Sequence, residues 1–111
     1  MKRKTKTFTV YTHHSHYSYG ILEVPYLRSF RKFGETFVLH RPIFDGRIQK
    51  TGFSVAHRDT GARVGFASAT QSDAISEARR LIHQAGADRL KRCLLLAAKE
   101  NAKAKTILAK Q

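Results

Sequence analysis

Cysteine is all but missing from this chain of 111 residues: Cys93 stands alone. One thiol forms no internal disulfide and builds no cysteine-based zinc site. No apolar run approaches the roughly 20 residues of a bilayer-spanning helix, which excludes a transmembrane helix. The start, MKRKTKTFTV, has the positive charge of a signal peptide but no apolar core behind it, so a cytoplasmic protein is expected. There is no glycine-rich phosphate loop, no acid cluster of the metal-binding type and no Ser/His/Asp arrangement, so no cofactor is expected. Acids are scarce as well, with 8 Asp and Glu against 21 Lys and Arg, for a formal net charge of +13.

What is present suffices for one small core. Hydrophobic residues are 41% and aromatics 10% of the chain, enough to fold, and the length argues for a single domain. Residues 1–34 carry +6, residues 35–71 carry +2 and residues 72–111 carry +5. Such an excess repels itself and points to a polyanionic partner. Nucleic acid is the first candidate, DNA ahead of RNA, because each neutralised phosphate releases counterions. The plainer alternative is charge that only keeps the chain soluble. An anionic membrane is a poor partner, since the C-terminal segment is rich in Ala where bulky apolar residues are needed.

The pattern of residues predicts an α+β fold, a three- or four-stranded antiparallel sheet packed against two C-terminal helices. Residues 1–6 form a basic arm with Lys2, Arg3 and Lys4, and alternation over 7–12 gives a first strand before a His- and Tyr-rich loop at 13–20. Pro25 to Gly34 reads as a short helix, with Tyr26, Phe30 and Phe33 on one face and Pro and Gly at its ends. A meander over 37–69 follows: a strand at 37–44 with Pro42 marking an edge, an Asp45-Gly46 type I′ turn, and a return through 47–58 bulged at Gly52. Asp59-Thr60-Gly61 then turns the chain into a last strand at 63–68. The helical part spans 72–105 or further, with Ser72 as cap, Gly86 as stop and a second helix from about Asp88.

Phe53, Val55, Val64 and Phe66 are expected to face the first helix. The opposite sheet face then carries Lys50, Ser54, Ala56 and Arg58 beside Arg63, Gly65 and Ala67, small at its centre and basic at its rim. Such a surface admits a nucleic-acid groove, with Arg58 and Arg63 reaching phosphates or guanine edges; an ordinary solvated sheet face is the alternative. On the second helix Arg92, Lys99, Lys103 and Lys110 form a stripe opposite the apolar arc of Leu90, Cys93, Leu94, Ala97, Ala104 and Leu108, with Cys93 buried.

The segment FSVAHRDTGARVGFASATQSDAISEARRLI, Phe53 to Ile82, resembles the hairpin-then-helix of Apetala-type (ethylene-response) DNA-binding domains and of tyrosine-recombinase arm-binding domains. The likeness covers about 30 residues. It implies a three-stranded sheet in the DNA major groove, with Arg58 and Arg63 as groove residues and Arg47 as a third.

The resulting expectation is a non-catalytic nucleic-acid-binding protein. Its contacts are Arg58 and Arg63 with Arg47 and Lys50 on the sheet, Lys2, Arg3 and Lys4 on the arm, and Arg92, Lys99 and Lys103 on the helix. Two alternatives stay open. One is a small phage- or plasmid-type inhibitor that docks on a nucleoprotein complex. The other is a small ribonuclease toxin using His57, with His40, Asp59, Arg58 and Arg63 close by in sequence. Tyr11, Tyr17, Tyr19, Tyr26, Phe30 and Phe33 interleave with Arg28, Arg31 and Lys32, a mixture able to stack single-stranded bases or simply to fill a core. His13, His14 and His16 lack a distant fourth ligand, and a solvated loop is the expectation.

Overall fold

Alternation of side chains, not helical spacing, governs nearly all of the first 70 residues. The computed structural model describes residues 6–15 and 18–110, the side chains of 13–15 and 18–19 apart. Its elements in order are β1 (Thr7–Ser15), β2 (Ser18–Lys32), β3 (Glu35–His40), β4 (Ile43–Phe44), β5 (Arg47–Ile48), β6 (Phe53–His57), β7 (Arg63–Ser68) and α1 (Gln71–Ala109). The fold is α+β: an antiparallel five-stranded sheet in the order β1-β2-β3-β6-β7, a small β4-β5 ribbon and one long helical element. The sheet therefore has more strands than the sequence pattern indicates.

The expected helix at Pro25–Gly34 is instead the second half of β2. Tyr26, Phe30 and Phe33 fit a helical period because a bulge breaks the strand's alternation. Tyr26 pairs with His40 but Arg28 pairs with Leu39, so Leu27 is an extra residue with no partner. Two residues on one strand oppose one on the other, which inverts the facing of all that follows. Val24 and Tyr26 thus pack with Phe8 and Val38, while Phe30 packs with Phe37 on the opposite face. Gly34, expected as a helix stop, is half of a tight hairpin turn with Phe33; their φ angles are 77° and 52°. The Asp45-Gly46 turn has the same two positive φ angles, 53° and 70°, as its sequence demands.

The strand expected at 37–44 is split. His40 ends β3, and Pro42, which has no N–H for a ladder, lies in the connection to the β4-β5 ribbon. The Pro42 carbonyl accepts from Gln49 N at 2.8 Å. The loop expected at 13–20 is largely strand: His13–Ser15 belong to β1 and Ser18–Gly20 to β2.

Thr70, not Ser72, caps α1, its hydroxyl accepting from Asp73 N at 3.1 Å. The two expected helices are one helical element, interrupted at Gly86, whose φ of 80° and ψ of 164° are non-helical. That conformation costs glycine little and any other residue more. The arm before it, 71–85, buries Ala74, Ala78 and Ile82 against Phe37, Leu39 and Val55. The arm after it adds Leu90 to the same core and continues past the β6-β7 turn, where Asn101 Nδ2 donates to the Thr60 carbonyl at 2.8 Å. Cys93, expected inside, is exposed, and Asn101 takes the inward position on that face. Phe66, also expected to face the helix, is 81% exposed. Three residues of β7, Gly65 to Ala67, stand opposite the single Ser54, and this wide bulge turns Phe66 outward.

The sheet has a core on each face. On the helix side lie Phe30, Phe37, Leu39, Phe53, Val55 and Val64. On the other, the β1-β2 hairpin folds over and buries Phe8, Val24, Val38 and Ala56. Ser54 and Ala56, expected to floor an open nucleic-acid surface, are only 2% exposed beneath it.

Gly61 fixes how close that hairpin comes. Its φ is +74°, and a Cβ there would lie 2.9 Å from the Thr9 carbonyl oxygen. Gly34 has a similar φ of +77° but open space around it. Gly34→Ala is expected to cost about 1 kcal/mol from backbone strain alone. Gly61→Ala adds a backbone collision and is expected to cost ~2–3 kcal/mol. Urea unfolding of the two variants checks the difference.

Candidate nucleic-acid interface

Cations on this chain find few acids to pair with. Among the described residues, the carboxylate pairs of Lys and Arg are Arg58 with Asp59 and Arg80 with Glu77. Glu35 is taken by His57, and Glu23 accepts from the hydroxyls of Thr7 and Thr9. The other described cations face solvent, lie over rings or, like Arg31 and Arg41, donate to hydroxyl and carbonyl oxygens.

The densest group lies on β2. Residues 18–25 pair with β1 and residues 26–32 with β3, so from 27 to 32 the described structure leaves one edge without a strand neighbour. Alternation puts Arg28 and Lys32 on the helix side, flanking Phe30. Across from them the Arg79 guanidinium lies 4.9 Å from the centre of the Phe30 ring. Lys32 Nζ lies 5.2 Å from the centre of the exposed Phe33 ring. Arg31 points to the other face and is held in place: it donates to Thr36 Oγ1 at 3.2 Å and to the Gly34 carbonyl at 2.8 Å. The Thr36 carbonyl accepts from Arg58 N at 3.0 Å, which brings Arg58 to the same end of the sheet.

The residues expected at the site are only partly united. Arg58 joins this β2 group, with its charge shared by Asp59 at 3.2 Å. Arg63 is exposed on the outer strand β7, 5.9 Å from the Phe66 ring centre. Arg47 sits on the β4-β5 ribbon opposite Phe44, and Lys50 just beyond it, at the other end of β6, roughly 15 Å away by strand rise. Arg92, Lys99, Lys103 and Lys110 are all exposed on the second arm of α1, as the periodicity indicates. Lys2, Arg3 and Lys4 lie outside the described residues, as do the side chains of His13, His14 and His16. Phe33, Arg28 and Lys32 belong to the aromatic and basic group read from the sequence, whereas Arg79 was not picked out. The repeated pairing of an aromatic with a cation is the signal that links them.

The two histidines of the ribonuclease reading are on opposite faces of the sheet. His57 is 3% exposed and packs edge-on against Phe37. Its Nε2 lies 2.9 Å from Glu35 Oε2 and its Nδ1 2.8 Å from Thr60 Oγ1, so both ring nitrogens are engaged. Glu35, His57 and Asp59 bring ligand atoms within 4.8 Å of one another, the one such group among the described residues. A cation there would have to displace the hydrogen bond between Glu35 and His57, and the geometry as it stands is a satisfied polar network.

His40 faces the β1-β2 hairpin, its ring centre 5.0 Å from that of Phe8. It is 4% exposed, and Nδ1 lies 2.7 Å from the Arg41 carbonyl. A carbonyl only accepts, so Nδ1 carries the proton and Nε2 a bare lone pair. Nε2 is buried without a hydrogen-bond partner among the described residues. Burial lowers the pKa of this ring below 6.5, with the Arg41 carbonyl pulling the other way.

What the fold and this surface define is a class: a small basic α+β protein with unpaired cations set among aromatic rings. Comparisons with protein-family models, curated proteins and solved structures found no match to the chain. The functional argument therefore rests on its own residues.

The lowered pKa of His40 has a consequence for stability. Above pH 6.5 the ring is neutral folded and unfolded, and contributes no pH dependence. Below 6.5 the unfolded chain takes up a proton that the folded chain refuses, so stability falls until the pH passes the folded pKa. His40→Phe, which keeps a ring against Phe8, is expected to lose less stability than wild type between pH 7.5 and 5. Urea midpoints at the two pH values check this.

Proposed function

We propose that the chain is a non-catalytic protein that binds single-stranded nucleic acid. The observation that carries this reading is Phe33, an exposed aromatic in a strained backbone position beside unpaired cations. A positive φ is uncommon for a bulky side chain and costs of order 1–3 kcal/mol. Asn or Gly would relieve it at this turn position, so the retained ring argues for a use. Two more exposed rings share the arrangement: Phe66 beside Arg63, and Phe44, 74% exposed, opposite Arg47. Rings that stack bases beside cations that hold phosphates are the recurring means of binding single strands.

This reading replaces the open sheet face with the β2 edge, made of Arg28, Lys32, Phe33 and Arg79. The stripe of Arg92, Lys99 and Lys103 remains a second phosphate-binding surface. A role inside the cytoplasm fits such a partner. One observation favours a protein partner as the second reading: Leu95 and Leu96, 56% and 63% exposed, stand between Arg92 and Lys99 on the same arm. An inhibitor docking on a nucleoprotein complex would use them.

The test is fluorescence anisotropy of single-stranded DNA, RNA and duplex across a salt series. Wild type is expected to prefer a single strand. The Arg28→Ala, Lys32→Ala, Arg79→Ala triple variant is expected to bind at least tenfold more weakly, with a salt slope lowered by about 2. Phe33→Asn is expected to raise stability by about 1 kcal/mol while weakening single-strand binding several-fold. Unchanged affinity in both variants would refute the β2 surface. Weak, non-selective binding by wild type would favour the protein partner.

A further inference from the structure

Between β1 and the hairpin-facing side of the sheet lies a cleft of about 840 Å³. Val10, Tyr11, His40, Ser54, Ala56 and Arg63 are among its lining residues. Its volume falls within the roughly 300–1,000 Å³ of small-molecule pockets, and its inner wall is made of small residues. The β1-β2 hairpin covers part of the sheet face, and the bulged strand β7 leaves the rest open.

His40 lines this cleft, with Nε2 itself buried. Nδ1–H is fixed on the Arg41 carbonyl, so the distal nitrogen, Nε2, is an acceptor and nothing else. An acceptor buried and unpaired costs about 1–3 kcal/mol until some donor reaches it. The occupant must therefore present an N–H or O–H group. Phosphodiester and ionised carboxylate oxygens only accept and cannot serve Nε2. Arg63, exposed and at the edge of the same cleft, supplies the opposite preference, for an anion. A ligand that joins a planar N–H donor to an anion satisfies both.

We propose that the cleft receives one unpaired nucleobase, which donates an N–H to His40 Nε2 while Arg63 holds the phosphate attached to its sugar. The proposal rests on the single-strand reading above and gives it a base-binding pocket apart from the β2 edge. Every natural base has a suitable donor: an exocyclic amine on adenine, cytosine and guanine, a ring N–H on guanine, uracil and thymine. Val10 offers apolar surface to one of its faces. A duplex holds its Watson–Crick donors in pairs, so the pocket selects unpaired bases.

The experiment is NMR titration of 15N-labelled protein with nucleosides, with 5′-mononucleotides and with inorganic phosphate. The His40 Nε2 resonance and the amides of Ser54 and Ala56 are expected to shift with nucleosides and nucleotides, and not with phosphate alone. His40→Phe is expected to weaken nucleoside binding roughly three- to tenfold, the equivalent of one hydrogen bond. Arg63→Ala, an exposed change that leaves the core untouched, is expected to weaken nucleotide binding and spare nucleoside binding. If no ligand moves His40 or Ser54 while an oligonucleotide still binds, the pocket is refuted and the single-strand reading stands. If nucleotides shift the cleft but oligonucleotides fail to bind, the pocket stands and that reading falls. Shifts caused equally by phosphate alone would overturn the pocket.

Discussion

Leu27 is the residue on which the two layers of this protein depend. A strand of fifteen residues with unbroken alternation would bury one face from end to end. The extra residue between Tyr26 and Arg28 lets β2 change sides midway. Its first half, with β1, becomes a hairpin whose apolar side presses on Val38 and Ala56; its second half turns Phe30 toward Phe37 and the helix. The sheet thereby gains a core on each face from only five strands. Everything on the hairpin side follows from this crossover: the burial of Ser54 and Ala56, the tilted contact of Phe8 with His40, and the cleft left where the hairpin's cover ends.

The same crossover decides where charge can go. Both sheet faces have apolar centres, so the described cations lie at strand edges and ends, in connections, on the β4-β5 ribbon and along α1. Several lie their guanidinium groups over rings, Arg41 on Phe53 at 4.4 Å and Arg79 on Phe30 at 4.9 Å. Such contacts contribute about 0.5–1 kcal/mol at exposed sites and require no acid. A chain of net charge +13 with so few carboxylates uses aromatic faces where other proteins use salt bridges. That leaves cation and ring together at the surface, the pair of groups a single strand engages.

Much of the fold was legible because local chemistry and tertiary structure agree there. Asp45-Gly46 and Asp59-Thr60-Gly61 are turns on their own terms, Phe53 to His57 alternates cleanly, and Gly86 breaks the helix where the apolar arc stops. The failures share a cause. Bulges insert residues whose partners lie on distant strands, so Leu27 leaves no mark in sequence, and Gly65, with a φ of +77°, is the one local sign of the β7 expansion. Phe30 and Phe66 were misplaced for that reason. Pro25 and Gly34 are equally good ends for a helix and for a strand with a tight turn, and only pairing with β3 chooses. On α1 Asn101 turns inward and donates to the Thr60 carbonyl 41 residues away, while Cys93, two turns earlier, is exposed. A polar residue on an apolar arc is readable only once its partner is known.

Two residues sit in positions that stability alone would not choose. Phe33 carries a positive φ that a smaller residue would accept more easily, and His40 buries an acceptor that none of the described residues satisfies. Neither is forced by packing. Phe33 is outside both cores, and an apolar ring at 40 would keep the contact with Phe8. Natural chains tolerate such costs where the group is used, and function concentrates there. The two sites also call for complementary parts of one ligand. Phe33 with Lys32 offers a face and a positive charge, and His40 with Arg63 offers an acceptor and a positive charge. A single strand of nucleic acid presents base faces, N–H groups and phosphates at short, regular intervals. It meets all of these demands at once, whereas a duplex presents mainly its phosphates.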